Sequence, residues 1–171
     1  MKDLSLHVLD IAQNSVTAGA KHLDISLADR AGLRTLVITD DGRGMAPEFL
    51  AAVTDPFTTT RSTRKVGLGL PLLRMAAEQT GGSLQIESKL GMGTRVSVSF
   101  YYEHIDCPPV GDMAGTVALL VQGAPELELR YTRDGNTFDT REVRAVLGPD
   151  ISLSAPEVVL WMQDYMKELS L

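Results

Sequence analysis

Apolar residues recur along the first part of the chain with two different periods, and each period predicts a type of secondary structure. Between residues 4 and 18 they return every three or four positions, which predicts an amphipathic helix that ends at Gly19. Residues 23–27 and 33–38 alternate between apolar and polar, which predicts a pair of strands with one buried face. The pattern then predicts a helix at 47–53, a polar loop at 55–66, a helix at 68–79 and strands at 84–88 and 94–101.

The order of these elements predicts the fold class. Helix, strand, strand, helix, loop, helix, strand, strand suits an α+β protein, because each apolar helix stripe must be buried against a sheet face. We therefore expect a two-layer α/β sandwich, with helices on one face of a mixed sheet, that fills residues 1–103.

A change of composition at residues 104–109, which include two consecutive prolines, marks a junction. Beyond it the pattern predicts a helix, a hairpin across Asp134-Gly135 and two further helices, which make a C-terminal αββαα extension over residues 104–171. Ser154 and Glu157 have the spacing of a capping box at the start of the last helix. The sequence indicates no chemistry for this extension, so its role is left open.

Composition limits the classes of function without choosing one. The net charge of −6 argues against a general nucleic-acid surface, which normally carries a basic excess. No apolar run approaches the ~20 residues that span a bilayer, and the N-terminus lacks the layout of a signal peptide. Cys107 is the sole cysteine, which excludes an internal disulfide and fits a reducing compartment. We expect a cytoplasmic protein that binds neither nucleic acid nor membrane.

The segment at residues 40–44, Asp-Asp-Gly-Arg-Gly, comes directly after an apolar strand. A carboxylate at a strand end, such as that of Asp40, can accept a hydrogen bond from the amino group of adenine. Gly42 and Gly44 let the backbone turn sharply and lie against a flat base. The alternative is a simple turn, because Asp-Gly is a common turn dipeptide.

Asp10 and Asn14 lie four residues apart in the first predicted helix, so they share one face. Asparagine is a poor helix former, and its amide oxygen suits Mg²⁺, a hard cation that is usually held by few protein ligands. The carboxylate of Asp10, one turn away, could orient or deprotonate an attacking water. Two polar residues on a solvated helix face are the alternative.

A second pair of glycines, Gly67 and Gly69, opens a predicted helix together with Leu68 and Leu70. Free N–H groups at a helix start form an anion site where glycines permit close approach. The loop before it supplies hydroxyl donors and positive charge through Thr58, Thr59, Thr60, Arg61 and Lys65. A solvated loop without a ligand is the alternative, and residues 91–94, Gly-Met-Gly-Thr, could likewise be a plain strand connection.

Other nucleotide-binding and hydrolase motifs are absent from the sequence. It contains no G-x-x-x-x-G-K-[ST], no G-x-G-x-x-G and no G-x-S-x-G. One cysteine and three scattered histidines do not make a recognisable zinc site.

Taken together, the motifs resemble those of the GHKL superfamily, which includes DNA gyrase, the heat-shock chaperone ATPase, histidine kinases and the mismatch-repair protein MutL. The resemblance covers residues 4–102 and keeps the family's order of motifs. Residues 10–15 look like its N box, 40–44 its first glycine box, 55–57 its F box, 67–70 its second glycine box and 91–94 its third.

The resemblance implies the Bergerat ATP-binding fold and a role for several residues. Asn14 would bind Mg²⁺, Asp40 the adenine amino group and Thr94 the adenine edge. The glycines at 67 and 69 would face the phosphates beneath a lid formed by residues 58–66.

The resemblance is not uniform along the chain. The first motif is most similar to that of MutL, whereas residues 57–69 are most similar to histidine kinases. Asp10 takes the place of the glutamate base of gyrase-type members, where many histidine kinases have no acidic residue. Because the chain starts just before its first helix, we expect no dimerisation unit carrying a phosphoacceptor histidine.

We therefore expect Mg-dependent ATP binding, with phosphorylation of a histidine or serine on a separate protein of a bacterial regulatory system. Two alternatives stay open: a MutL- or gyrase-like switch that hydrolyses ATP to control partner binding, and a nucleotide sensor without turnover. The expected partners are ATP, a separate regulatory or substrate protein and, as an open alternative, a second copy of the chain in a homodimer.

Overall fold

The computed structural model describes residues 2–53 and 69–171. Within them every helix and strand predicted above is present, with ends shifted by no more than a few residues. The helices are α1 (Leu4–Thr17), α2 (Pro47–Val53), α3 (Gly69–Gln79), α4 (Met113–Gly123), α5 (Thr140–Leu147) and α6 (Pro156–Glu168). The strands are β1 (His22–Arg30), β2 (Leu33–Asp40), β3 (Ser83–Lys89), β4 (Gly93–Tyr101), β5 (Glu128–Arg133) and β6 (Asn136–Asp139). None of these described helices combines the length and the apolar character that crossing a bilayer requires.

The strands form one sheet in the order β3-β4-β2-β1-β5-β6. Neighbouring strands are antiparallel, except that β1 and β5 run parallel. The sheet is therefore mixed and the fold is α+β, as predicted.

The alternation of side chains in each strand decides which face of the sheet the helices cover. In β1, Leu23, Ile25 and Leu27 are at most 2% exposed, whereas Asp24 and Ser26 between them are only half-buried. The buried side chains of β2 and β4 continue the apolar face, and those of α1, α3 and α4 join them in one core. The helices thus lie on one face of the sheet.

The C-terminal extension continues the same sheet. β5 lies beside β1 with Leu129 opposite Leu23, and α4 packs against both α1 and α6. Val117 and Phe138 of the extension are fully buried and belong to the same core as the side chains of residues 1–103. The αββαα order of the extension is confirmed, while a domain boundary after residue 103 stays a prediction.

The capping box predicted for α6 is wrong. The N-cap of this helix is Ala155, and no side chain caps it. The Ser154 hydroxyl is instead 2.7 Å from the Ser152 hydroxyl oxygen. Because Pro156 occupies the first turn and has no N–H, one of the donors that a cap would satisfy is missing.

Candidate functional site

A cavity of about 400 Å³ opens between α1, the ends of β2 and β4, and the turn that leads into α2. Seven residues from four of the sequence motifs line it: Asn14, Ser15, Asp40, Arg43, Gly44, Leu70 and Thr94. Its apolar lining includes Ile11, Ile38, Met45, Phe49, Leu90 and Val96. Motifs that are far apart in sequence therefore contribute to a single cavity.

The carboxylate of Asp40, the last residue of β2, is held by two hydrogen bonds. The buried Ser15 hydroxyl donates to Oδ2 over 2.6 Å, and the Gly42 N–H donates to Oδ1 over 2.9 Å. Each carboxylate oxygen has a further lone pair, so the group can still accept a hydrogen bond from a ligand. Gly42 itself does not line the cavity and acts through Asp40. It also packs closely, because a Cβ on Gly42 would lie 3.0 Å from the Ala18 side chain.

Thr94 and Ser88 lie in one row with Asp40 across the sheet. Thr94 of β4 is directly opposite Asp40 of β2, and Ser88 of β3 is directly opposite Thr94. The Ser88 hydroxyl lies 2.9 Å from the Thr94 hydroxyl and donates to the Gly93 carbonyl over 2.9 Å. It also accepts the Met45 N–H over 2.8 Å, so it ties the turn after β2 to the turn between β3 and β4.

These two turns pack backbone against backbone, which requires glycine at both. Gly44 has φ 70°, and a Cβ built on it would lie 1.9 Å from the Lys89 carbonyl oxygen. Gly93 has φ 93°, and its Cβ would lie 2.0 Å from the Asp40 carbonyl oxygen. Each glycine is therefore required by a left-handed backbone and by close approach at once.

The two predicted residues of α1 have different positions. Asn14 lines the cavity, whereas Asp10, one turn earlier, is exposed and forms an ion pair with Lys2. Gly69, the first residue of α3, is buried against this part of α1, because a Cβ there would lie 3.3 Å from the Asp10 Cβ. Asp10 thus stands beside the start of α3 and outside the cavity lining.

The remaining predicted site residues lie outside the described part of the chain. They are Thr58, Thr59, Thr60, Arg61, Lys65, Gly67 and Leu68, from the predicted lid and second glycine box.

Asp41, the neighbour of Asp40, joins the site to the C-terminal extension through His22. Its carboxylate accepts the N–H groups of Lys21 and His22 over 2.8 and 2.9 Å and lies 2.6 Å from the His22 Nδ1. Desolvation raises the pKa of Asp41, but these hydrogen bonds together lower it to about 2. The His22 Nε2 lies 2.7 Å from a carboxylate oxygen of Glu128 in β5.

Several residues in or next to the cavity were given no role by the motif search, and some carried a usable signal. Ile38 and Val96 lie two positions before Asp40 and two after Thr94, so strand alternation places them on the same face. Ser15 follows Asn14 directly, but nothing in its own type marks it as a partner of Asp40. Ser88 had no signal, since its position depends on the pairing of β3 with β4.

A family model described as "Histidine kinase-, DNA gyrase B-, and HSP90-like ATPase" matches residues 2–104. The chain belongs to this family. The resemblance stated from the motifs is thereby confirmed, and residues 2–104 are an ATP-binding domain of the histidine kinase-like type.

Curated relatives of this chain are histidine kinases and a sensor protein. Histidine protein kinase DivJ of Caulobacter vibrioides is 34% identical over 97 residues, 53% of this chain and 16% of the relative. Sensor histidine kinase ZraS of Escherichia coli O157:H7 is 33% identical over 93 residues, 53% of this chain and 20% of the relative. Sensor protein SrrB of Staphylococcus aureus is 44% identical over 64 residues, 34% of this chain and 11% of the relative. The chain therefore spans a fifth or less of the length of these relatives.

One solved structure shares the fold, and a second aligns with part of the chain. The N-terminal domain of a DNA repair protein aligns with a TM-score of 0.54 and 15% identity, over 81% of this chain and 52% of that chain. Full-length ShkA in complex with AMPPNP aligns over 55% of this chain and 20% of that chain, with 24% identity. Its TM-score is 0.45.

Proposed function

We propose that the chain binds Mg·ATP in this cavity and transfers the γ-phosphoryl group to a histidine or serine of a separate regulatory protein in the cytoplasm. The observation that carries the proposal is the convergence of Asn14, Asp40 and Thr94 on one cavity. Asp40 and Thr94 offer acceptors for an adenine amino group, and Asn14 offers an amide oxygen for a cation. The histidine kinase relatives support a protein as the acceptor.

At the adenine end, the two hydrogen bonds from Ser15 and Gly42 hold the Asp40 carboxylate before any ligand arrives. An acceptor that is already oriented loses little conformational freedom on binding. Met45, Phe49 and other apolar side chains around it suit the faces of a purine ring, since such pockets combine apolar walls with a few placed polar groups.

At the phosphate end, Asn14 is the proposed ligand of Mg²⁺. Within residues 2–53 and 69–171 no group of three or more His, Cys, Asp or Glu side chains is arranged to hold a metal ion. The proposed single amide ligand leaves further coordination positions to phosphate oxygens and water, an arrangement that Mg²⁺ commonly adopts. Bound there, Mg²⁺ would offset the negative charge of the phosphates.

The N-terminus of α3 supports the placement of the phosphates. Gly69 begins this helix and Leu70 lines the cavity, so the N–H groups of the first turn, which have no acceptor within the helix itself, lie beside the proposed nucleotide. We propose that the segment before α3 supplies the remaining phosphate contacts, through Thr58, Thr59, Thr60, Arg61, Lys65, Gly67 and Leu68.

A second candidate function is an ATP-hydrolysing switch, and the position of Asp10 favours it. Asp10 lies one turn from Asn14 on α1, where a carboxylate can serve as a general base for an attacking water. Its ion pair with Lys2 would have to open first. In this version ATP turnover would control binding of a partner or of a second copy of the chain.

Incubation with γ-labelled ATP, Mg²⁺ and candidate partner proteins separates these functions. Label on a partner supports phosphoryl transfer, whereas released phosphate without labelled protein supports the switch. Intact bound ATP supports a sensor without turnover. Absence of ATP binding by calorimetry would contradict all three.

Two variants test the roles proposed for Asn14 and Asp10. Asn14→Ala should remove the dependence of ATP affinity on Mg²⁺, because the only proposed protein ligand is lost. Asp10→Asn should leave ATP affinity unchanged and lower phosphate release about 10²-fold or more if Asp10 is the base. An unchanged rate of release excludes that role for Asp10.

A further inference from the structure

Ser88 does not line the cavity, but its hydroxyl contacts that of Thr94, which does, and it belongs to none of the sequence motifs. It stands in the row Asp40–Thr94–Ser88, which crosses β2, β4 and β3 in register. Directly opposite residues of antiparallel strands point to the same face, with Cβ atoms about 5 Å apart. A change in the orientation of the Thr94 hydroxyl therefore affects any ligand group that also contacts Asp40.

The hydrogen bonds of Ser88 determine where its single proton goes. A hydroxyl donates one proton and accepts two. The Gly93 carbonyl, 2.9 Å away, can only accept, so it takes the Ser88 proton. The Met45 N–H, 2.8 Å away, can only donate, so it takes one Ser88 lone pair.

The second lone pair of Ser88 is then left for Thr94, whose hydroxyl lies 2.9 Å away. Two hydroxyl oxygens at this distance need one proton between them, and Ser88 has already given its own to Gly93. Thr94 must therefore donate to Ser88. Its oxygen turns only lone pairs toward the cavity.

Asp40, like Thr94, can act only as a hydrogen-bond acceptor toward the cavity, for a similar reason. Both of its oxygens accept hydrogen bonds from the protein, from the Ser15 hydroxyl and the Gly42 N–H, and an ionised carboxylate has no proton to donate. The cavity thus ends in two neighbouring acceptors, Asp40 and Thr94. Two acceptors match the two hydrogens of a purine 6-amino group and oppose the lone pairs of a 6-oxo group at the same position, where the ring offers a donor only at N1.

We infer that Ser88 is a specificity-determining residue, which selects 6-amino over 6-oxo purine nucleotides by fixing the direction of the Thr94 hydroxyl. This inference rests on the proposed function. Ser88 acts through Thr94, so it is a positioning residue and not a nucleotide contact.

Calorimetric titration with ATP and with inosine triphosphate, both with Mg²⁺, tests the inference. Ser88→Ala frees the Thr94 proton to point into the cavity, so the ratio of ATP affinity to inosine triphosphate affinity should fall about tenfold. Ser83→Ala is the matched control, because it removes a hydroxyl from the same strand whose partner, the Ser99 hydroxyl, is 3.5 Å away. It should keep the wild-type ratio, as should Ser88→Thr, which retains a hydroxyl.

The ratio separates this role from a structural one. A general loosening of the turn would weaken both nucleotides equally, so an unchanged ratio in Ser88→Ala overturns the inference. If that variant does not fold, Thr94→Val replaces it: the same fall is expected, and an unchanged ratio again overturns it. Wild-type protein that binds ATP and inosine triphosphate with similar affinity also overturns it, whereas wild-type protein that binds neither contradicts the proposed function itself.

Discussion

Asp40 and Asp41 are adjacent carboxylates at the end of β2 with different surroundings. Asp40 lines the cavity and is held by Ser15, while Asp41 binds His22 outside it. The sequence predicted a binding position for Asp40, because an acid followed by two glycines after a strand has a local pattern. It could not predict the position of Asp41, because Glu128, the second partner of His22, comes from a strand far along the chain.

The pKa values of His7 and His22 should lie on opposite sides of 6.5, the ordinary value for histidine. The hydrogen bond to Asp41, helped by Glu128, raises the pKa of His22 above 6.5, whereas burial lowers the pKa of His7 below it. An NMR titration of the imidazole signals, assigned with His7→Asn and His22→Asn, measures both. Two values on the same side of 6.5 would contradict the described contacts.

The same shift predicts how the contribution of His22 to stability depends on pH. Since the folded pKa of His22 is raised, the folded protein holds more protons than the unfolded chain above pH 6.5. Its contribution is full below that pH and is lost as the pH rises through the folded pKa. His22→Asn should therefore lower the melting temperature more at about pH 6 than at about pH 9. Equal losses at the two pH values would show that protonation of His22 does not stabilise the fold.

Gly44 and Gly91 form a matched pair for testing the contact between the two turns. Both have positive φ, 70° and 79°, but a Cβ on Gly44 would lie 1.9 Å from the Lys89 carbonyl oxygen and one on Gly91 would contact nothing within 4 Å. Gly91→Ala should cost about 1–2 kcal/mol for the left-handed backbone alone. Gly44→Ala must also displace a carbonyl, so its cost should be larger by about 2 kcal/mol or more. Chemical denaturation measures both, and similar losses would mean that the turns do not touch.

Helices and strands were predicted well where apolar periodicity continues for several turns or alternations. Their ends depend on local hydrogen bonds, which residue type alone indicates poorly. Asp112 caps α4, since its side chain accepts the Gly115 N–H over 2.9 Å, although no pattern drew attention to it. Ser154 had the spacing of a cap, but α6 begins after it without a side-chain cap.

Replacing Asp112, which caps α4, and Ser154, which does not cap α6, should give different losses of stability. Asp112→Ala leaves the Gly115 N–H of α4 without its side-chain acceptor, which should lower the free energy of unfolding by about 1 kcal/mol. Ser154→Ala removes only a hydroxyl that is bonded to Ser152, so its effect should stay within about 0.5 kcal/mol. Urea denaturation compares them. A larger loss of stability for Ser154→Ala than for Asp112→Ala would show that Ser154 does cap α6.

The whole molecule is built around one sheet that includes the extension. Periodicity predicted the hairpin of β5 and β6, but it could not show that β5 pairs with β1, because strand pairing depends on contacts between distant parts of the chain. The solved DNA repair domain covers 81% of the chain, more than residues 2–104 alone can provide. The fold similarity therefore reaches into the extension, whereas the family model ends at residue 104.

This shared sheet predicts that nucleotide binding stabilises the extension as well as residues 1–103. Trp161, the sole tryptophan, stacks on Tyr165 at 5.3 Å in α6, so its fluorescence reports unfolding of the extension. Mg·ATP at about 100 times its dissociation constant should add about 2.7 kcal/mol to any unit that unfolds together with the cavity. We expect the transitions measured by Trp161 fluorescence and by circular dichroism to coincide and to rise together with nucleotide. If nucleotide raises the circular dichroism transition and leaves that of Trp161 in place, the extension unfolds as a separate domain, and the His22 link from Asp41 to β5 transmits no stability.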